Sequence, residues 1–354
     1  MSKYPPLRKC INGDSQRQAN MQRTNWIDWV KAWCMTVVVF CHLPQQEDSF
    51  YLQYLSSVIL SSFFFVSGYL KKPMTSQKET IKKYGYSLLI PYLIYNVLYY
   101  PYWIGKTYIE QGGYPSFSDC LKPIIGTLLG QLDSSFSCQL NGVTWFLISL
   151  FIMHWITDIC NRQKHGKTWM LVISIAAMIL YGLNKQTHYA PYLTFHGLIR
   201  SIPFFFMGNL MRNTNYLKEI CFIKDLWVGI SALTLSIILF YWHIYETIFS
   251  LHILLYFIVN AISVFATIQF FRALNCIKVS LVTYISIGTL VIFGFHRILI
   301  GIIDYSIEKI FVINDIRYEW YEALIVSLLI CIILYPIIKI VKRHVPILIG
   351  KKLK

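Results

Sequence analysis

Residues 23–42 read RTNWIDWVKAWCMTVVVFCH, and the reading of this stretch decides the fold. Its length and apolar run suit a membrane-spanning helix, which needs roughly 20 residues to cross the hydrocarbon core. It nevertheless carries Asp28, Lys31 and a terminal His42. An ionisable side chain in hydrocarbon costs about 3 kcal/mol or more, so such groups face a protein interior or a wet cavity and mark functional pathways. Lys31 and His42 lie about three helical turns apart, which sets them on one face and about 16 Å from each other along the axis.

The rest of the chain agrees with a membrane reading. Of 354 residues, 56% are hydrophobic and only 14% charged, with mean hydropathy +0.50. A soluble domain cannot hide that much apolar surface. The expectation is an all-α polytopic membrane protein of about ten transmembrane helices with both termini cytoplasmic. Residues 1–22 are polar and basic and lack the apolar core of a cleavable leader, so they read as a cytoplasmic arm. Residues 23–341 form the transmembrane domain, and residues 342–354 a basic cytoplasmic tail. The net charge of +15 raises the question of a nucleic-acid partner. Its distribution answers no: 23 of the 32 Lys and Arg fall in segments assigned to the inner side and 5 in outer ones, as the positive-inside rule requires.

Two local features qualify the span count. Pro91, in the helix expected over 86–104, predicts a kink with a freed carbonyl. The stretch DCLKPIIGTLLGQL, residues 119–132, is too short to span and reads as a re-entrant or interfacial helix. One continuous helix is expected over 279–303. Nine cysteines show no metal-ligand spacing, so no metal is expected. Cys120 and Cys138 share one exterior loop, where a disulfide is open in an oxidising compartment. No P-loop, HExxH or GxSxG motif occurs.

His42 is the candidate general base, since an imidazole exchanges protons near neutral pH; a lone histidine also serves as an interfacial cap. Asp28 and Lys31, three apart, either pair with each other or line the path. Arg200 lies inside the helix expected over 193–211 and stays charged, which calls for an anionic group or a polar cavity. His296 and Arg297 form a second His/Arg pair in a later span, in site or in packing. Lysines 71, 72, 78, 82 and 83 mark the inner side, and serve equally to hold phosphates.

These residues resemble the signatures of one family. The I-D-x-x-K of residues 27–31 followed by His42, and FFFVSGYL at 63–70, are similar to the first two helix motifs of the acyltransferase-three family of integral-membrane acyltransferases. LLIPYL, TWFLISLF, PFFFMGNL and TLVIFGFH resemble its later segments, with Phe293 where a tyrosine is common. The family's R-x-x-R pair is replaced here by Tyr84 and Ser87.

The resemblance implies transfer of an acyl group, usually acetyl from acetyl-CoA, to a hydroxyl of an envelope glycan or lipid-linked saccharide at the inner membrane. It implies catalytic roles for His42, Lys31, Asp28, Arg200 and His296, and contacts to acetyl-CoA from Lys82, Lys83, Arg23, Ser67 and Tyr92. The partners implied are acyl-CoA, a saccharide or glycolipid acceptor and membrane lipid. The rival expectation is a transporter or flippase of envelope saccharides, whose inverted repeats are not visible.

Overall fold

The computed structural model describes residues 24–46, 49–131, 140–187, 193–212, 214, 216–217, 219–312 and 316–351. Helix α1 (Asn25–His42) begins after the extended Thr24 and stops at Leu43, just before Pro44. Thirteen of its 18 residues are buried, because α2 (Phe50–Leu70), α10 (Phe249–Ala273), α11 (Ser280–Ile287), α12 (Thr289–Phe311) and α13 (Trp320–His344) all pack on it. The expected membrane span is therefore the hub of the bundle. Its polar residues are affordable because protein, not lipid, surrounds them.

The remaining elements are α3 (Gln77–Tyr84), α4 (Ile90–Gln111), α5 (Phe117–Leu129), α6 (Trp145–Arg162), α7 (Gly166–Thr187), α8 (Phe195–Met211) and α9 (Phe222–Tyr245). All regular structure among the described residues is helical. Among the described residues seven helices are long and apolar enough to cross a membrane: α2, α6, α7, α9, α10, α12 and α13, which makes this a multi-pass membrane protein. Helices α1, α4 and α8 fall outside that set. Helix α1 carries charges, α4 carries Pro91, Pro101 and many tyrosines, and α8 has 17 residues.

Helices α2 and α8 touch backbone to backbone. A Cβ at Gly68 would stand 1.9 Å from the Phe205 carbonyl oxygen, and one at Gly208 would stand 2.0 Å from that of Phe65. Glycines at such crossings let membrane helices approach closely. They also give a physical reason for the SGY and MGN positions of the sequence motifs.

The segment around Pro91 does not simply kink. Residues Gly85–Leu89 form a π-helical turn that joins α3 to α4, with the Ile90 N–H bonding the Gly85 carbonyl. Gly350, at φ +69°, approaches the Ser87 carbonyl; a Cβ there would lie 2.5 Å from that oxygen. This contact belongs to a 3-10 turn, Pro346–Ile349, within the segment expected as a basic tail. Leu348 and Ile349 are buried between α4 and α12, and the Tyr95 hydroxyl donates to the Leu348 carbonyl at 2.8 Å.

The helix expected over 279–303 is broken at Gly288 into α11 and α12. Ile338 of α13 presses on that point, at 2.4 Å from where a Cβ would be. The periodicity is apolar on both sides of the break, so nothing but the glycine signals it. The short exterior stretch forms α5, capped by the Ser116 hydroxyl and ended by Gly130. Cys120 carries a free thiol, and Cys138 lies outside the described residues.

Candidate active site

His42 ends α1, and His296 sits in the second turn of α12 with no exposed surface. The two rings meet edge to face with centroids 5.1 Å apart. Each Nδ1 lies 2.7 Å from the carbonyl four residues earlier, Val38 for His42 and Ile292 for His296. A carbonyl only accepts, so each Nδ1 carries the proton and each neutral ring presents a lone pair at Nε2. The Nε2 of His296 is buried without a partner. A buried nitrogen left unspent in this way is unusual, because buried polar atoms are normally satisfied.

His42 opens onto a cavity of about 740 Å³ that is also lined by Gln45, Gln46, Arg297 and Arg317, with Cys41, Leu43, Pro44, Leu52 and Ile316. Gln45 donates to the Phe40 carbonyl at 2.6 Å and leaves its Oε1 buried and unpartnered. On the other side of His296, Asn141 donates to the Gly294 carbonyl at 3.1 Å, and its own N–H bonds Asn96 Oδ1 at 2.8 Å. The Asn141 Oδ1 is again buried without a partner. Arg297 Nη1 comes within 3.5 Å of where a Gly142 Cβ would be. The arrangement offers proton acceptors beside a guanidinium, which suits attack by a hydroxyl and stabilisation of the oxyanion that develops.

Asp28 and Lys31 lie at the opposite end of α1 and meet at one residue of α11. The Ser286 hydroxyl donates to Asp28 at 2.6 Å, and Lys31 donates to the Ser286 carbonyl at 2.7 Å. The last carbonyls of a helix lack internal donors, so Lys31 satisfies one that the break at Gly288 sets free. The structure thus separates these two from His42 rather than assembling them around it. Arg200 is also apart: its guanidinium lies 5.9 Å from the Trp145 ring, and it does not line the His42 cavity.

Of the residues expected to meet the donor, Lys82 and Lys83 are exposed on α3. Ser67 bonds its own helix at the Phe63 carbonyl, and the Tyr92 hydroxyl donates to the Thr127 carbonyl of α5 at 2.6 Å. Arg23 lies outside the described residues. No group of three or more His, Cys, Asp or Glu able to hold a metal occurs among the described residues.

A second cluster, at the Asp28 end, escaped the sequence reading. Lys71, 1% exposed, stands 3.6 Å from Asp158, which also takes Arg162 at 2.9 Å. The Tyr84 ring stacks on His154 with centroids 3.7 Å apart and 9° between planes. Lys71 and Lys83 sit 5.2 and 5.3 Å from the same tyrosine ring, and Arg212 donates to the Lys71 carbonyl. Tyr84 takes the first place of the missing R-x-x-R pair, so four cations gather where that pair would stand. A carboxylate within a span was the available signal, but Asp158 merges into the polar stretch DICNR.

Between the two clusters lie Phe63, Phe64, Phe146 and Phe293, all buried. Phe146 and Phe293 stack at 5.1 Å, and Phe63 meets Phe146 edge on at 4.9 Å.

Residues 24–336 match the family model Acyl_transf_3, described as an acyltransferase domain. No curated protein and no solved structure matches the chain.

Proposed function

The chain belongs to the acyltransferase-three family, and we propose that it moves an acetyl group from acetyl-CoA to a hydroxyl of an envelope glycan or lipid-linked saccharide. The observation that carries this reading is the His42–His296 pair, with the buried unspent Nε2 of His296, beside the Arg297-lined cavity. Nε2 of His42 takes the proton of the acceptor hydroxyl as its oxygen forms a bond to the thioester carbonyl carbon. Arg297, which lines the same cavity, is the cation assigned to stabilise the oxyanion so formed. Collapse breaks the carbon–sulfur bond, and the departing thiolate takes the proton back from the imidazolium.

The proposed setting is an inner membrane crossed ten times, with α1, α4 and α8 added to the seven apolar spans and both termini inside. The asymmetry of Lys and Arg supports it. In that orientation the Lys71–Asp158 cluster faces the cytoplasm, where Lys71, Lys82, Lys83 and Arg162 attract the phosphates of CoA. His42 faces the acceptor. The acyl arm then passes the phenylalanine layer, so those rings must part during turnover.

Comparison of envelope glycan acetylation in cells with and without the gene tests this reading. Loss of one O-acetyl group in the deletion strain supports it; identical acetylation in both strains, with the protein present in wild-type membranes, opposes it.

A further inference from the structure

A third polar cluster lies at the His42 end of the bundle, on the face of α7, α8, α9 and α10 away from the His42 cavity. Its core is a run of rings. His252 and His243 lie 4.0 Å apart, His243 and Tyr256 6.1 Å, Tyr256 and Tyr181 5.1 Å, and Tyr181 and His196 5.4 Å. Lys185 stands 5.9 Å from the Tyr181 ring, and Arg200, one helix over, is close enough to repel it.

The charge of this cluster is unbalanced. Among the described residues neither Arg200 nor Lys185 has a carboxylate within 4.0 Å or a hydrogen bond to another protein group. The carboxylate that acts on the cluster is Glu246, which is felt at His252 and whose Oε1 already accepts from the Ile248 N–H at 2.8 Å. Two cations half buried in a membrane bundle repel each other, and arginine does not shed its charge. The faces of Trp145 and Tyr181 offset part of this, but a ring satisfies none of the N–H donors. An independent sign of a missing ligand is the Nδ1 of His243, a residue 7% exposed, which has no partner.

We propose that this cluster binds a phosphoryl group, presented by a lipid-linked acceptor or by a phospholipid headgroup. A guanidinium fork, an ammonium and imidazole donors are the groups that hold phosphate oxygens, and the Tyr and His rings form apolar walls on which a lipid chain can lie. The site itself does not require acyl transfer. Only its assignment to the acceptor rests on that reading, in which case Arg200 anchors the acceptor while His42 acts on its hydroxyl.

The test uses the full chain in nanodiscs of phosphatidylcholine, titrated with farnesyl diphosphate. Wild type binds; Arg200→Gln and Lys185→Gln each weaken binding about tenfold or more, as expected for a lost charge-assisted contact, and the double variant loses it. Lys309→Gln, on an exposed lysine, leaves it unchanged. If Arg200→Gln fails to fold, Lys185→Gln alone decides. Repeating the titration with phosphatidylglycerol in the disc separates the sources: suppression of diphosphate binding assigns a headgroup, and undiminished binding assigns the diphosphate. Equal affinity of wild type and the double variant overturns the proposal, as does a wild type that binds no farnesyl diphosphate in the phosphatidylcholine disc. His42→Gln is expected to bind the probe as wild type does, so failure of the acyl-transfer reading and failure of this site give different results.

Discussion

Replacing Asp158 by asparagine keeps its shape and removes the negative charge from between two cations. Lys71, 1% exposed, then has no anion, whereas Arg162 is partly solvated with its side chain 32% exposed. Breaking a buried ion pair from one side costs about 3–5 kcal/mol, since the remaining charge stays desolvated. Replacing Lys71 by methionine is different. It fills the same space with an apolar chain and leaves Asp158 paired with Arg162 at 2.9 Å, and such exchanges are often neutral, within about 1 kcal/mol. The prediction is an order and a rescue: Asp158→Asn destabilises strongly, Lys71→Met hardly, and the double variant recovers about 2 kcal/mol or more of the loss. Thermal unfolding of the purified protein in detergent reads all three. At most about 2–4 °C corresponds to each kcal/mol for a protein of this size. An Asp158→Asn protein as stable as wild type, or a double variant no better than Asp158→Asn, would refute the pairing.

Two further outcomes follow from contacts elsewhere in the bundle. Gly208→Ala forces a Cβ against the Phe65 carbonyl at 2.0 Å, where no rotamer change gives relief; about 3 kcal/mol or more of destabilisation is expected, at or above the upper range for overpacking, seen as a lower unfolding temperature, and an unchanged one contradicts the close crossing. Tyr95→Phe removes the donor to Leu348 and weakens docking of the 346–350 turn by about 1–2 kcal/mol, so hydrogen exchange there quickens; unaltered exchange means the turn is held by other contacts.

The parts of this protein that were legible in sequence are those where a charge stands against an apolar background. His42, Asp28, Lys31 and Arg200 were visible in that way. What the sequence did not carry was which of them meet. Asp28 and Lys31 share a span with His42, yet they serve Ser286 at the opposite end, because α11 ends there and leaves a carbonyl to be filled. Arg200 joins α7 and α10 rather than α1, and that depends on helix order around the bundle. Lys71 read as one of five lysines that mark the inner side or hold phosphates, since the loop gives no sign that α6 brings Asp158 beneath it. Gly288 shows the same limit: a glycine within an apolar run marks a break only once Ile338 is seen against it. The family motifs were legible as patterns, and the structure supplies their reason in the Gly68 and Gly208 contacts.

The central claim is that His42 is the base that activates the acceptor hydroxyl. The most direct measurement is the rate of acetyl transfer by purified His42→Gln protein, with acetyl-CoA binding measured on the same sample. The account predicts unchanged binding of acetyl-CoA and transfer slowed by about 10²–10⁴-fold, the range expected for loss of a general base. Transfer at the wild-type rate, with binding intact, would contradict it.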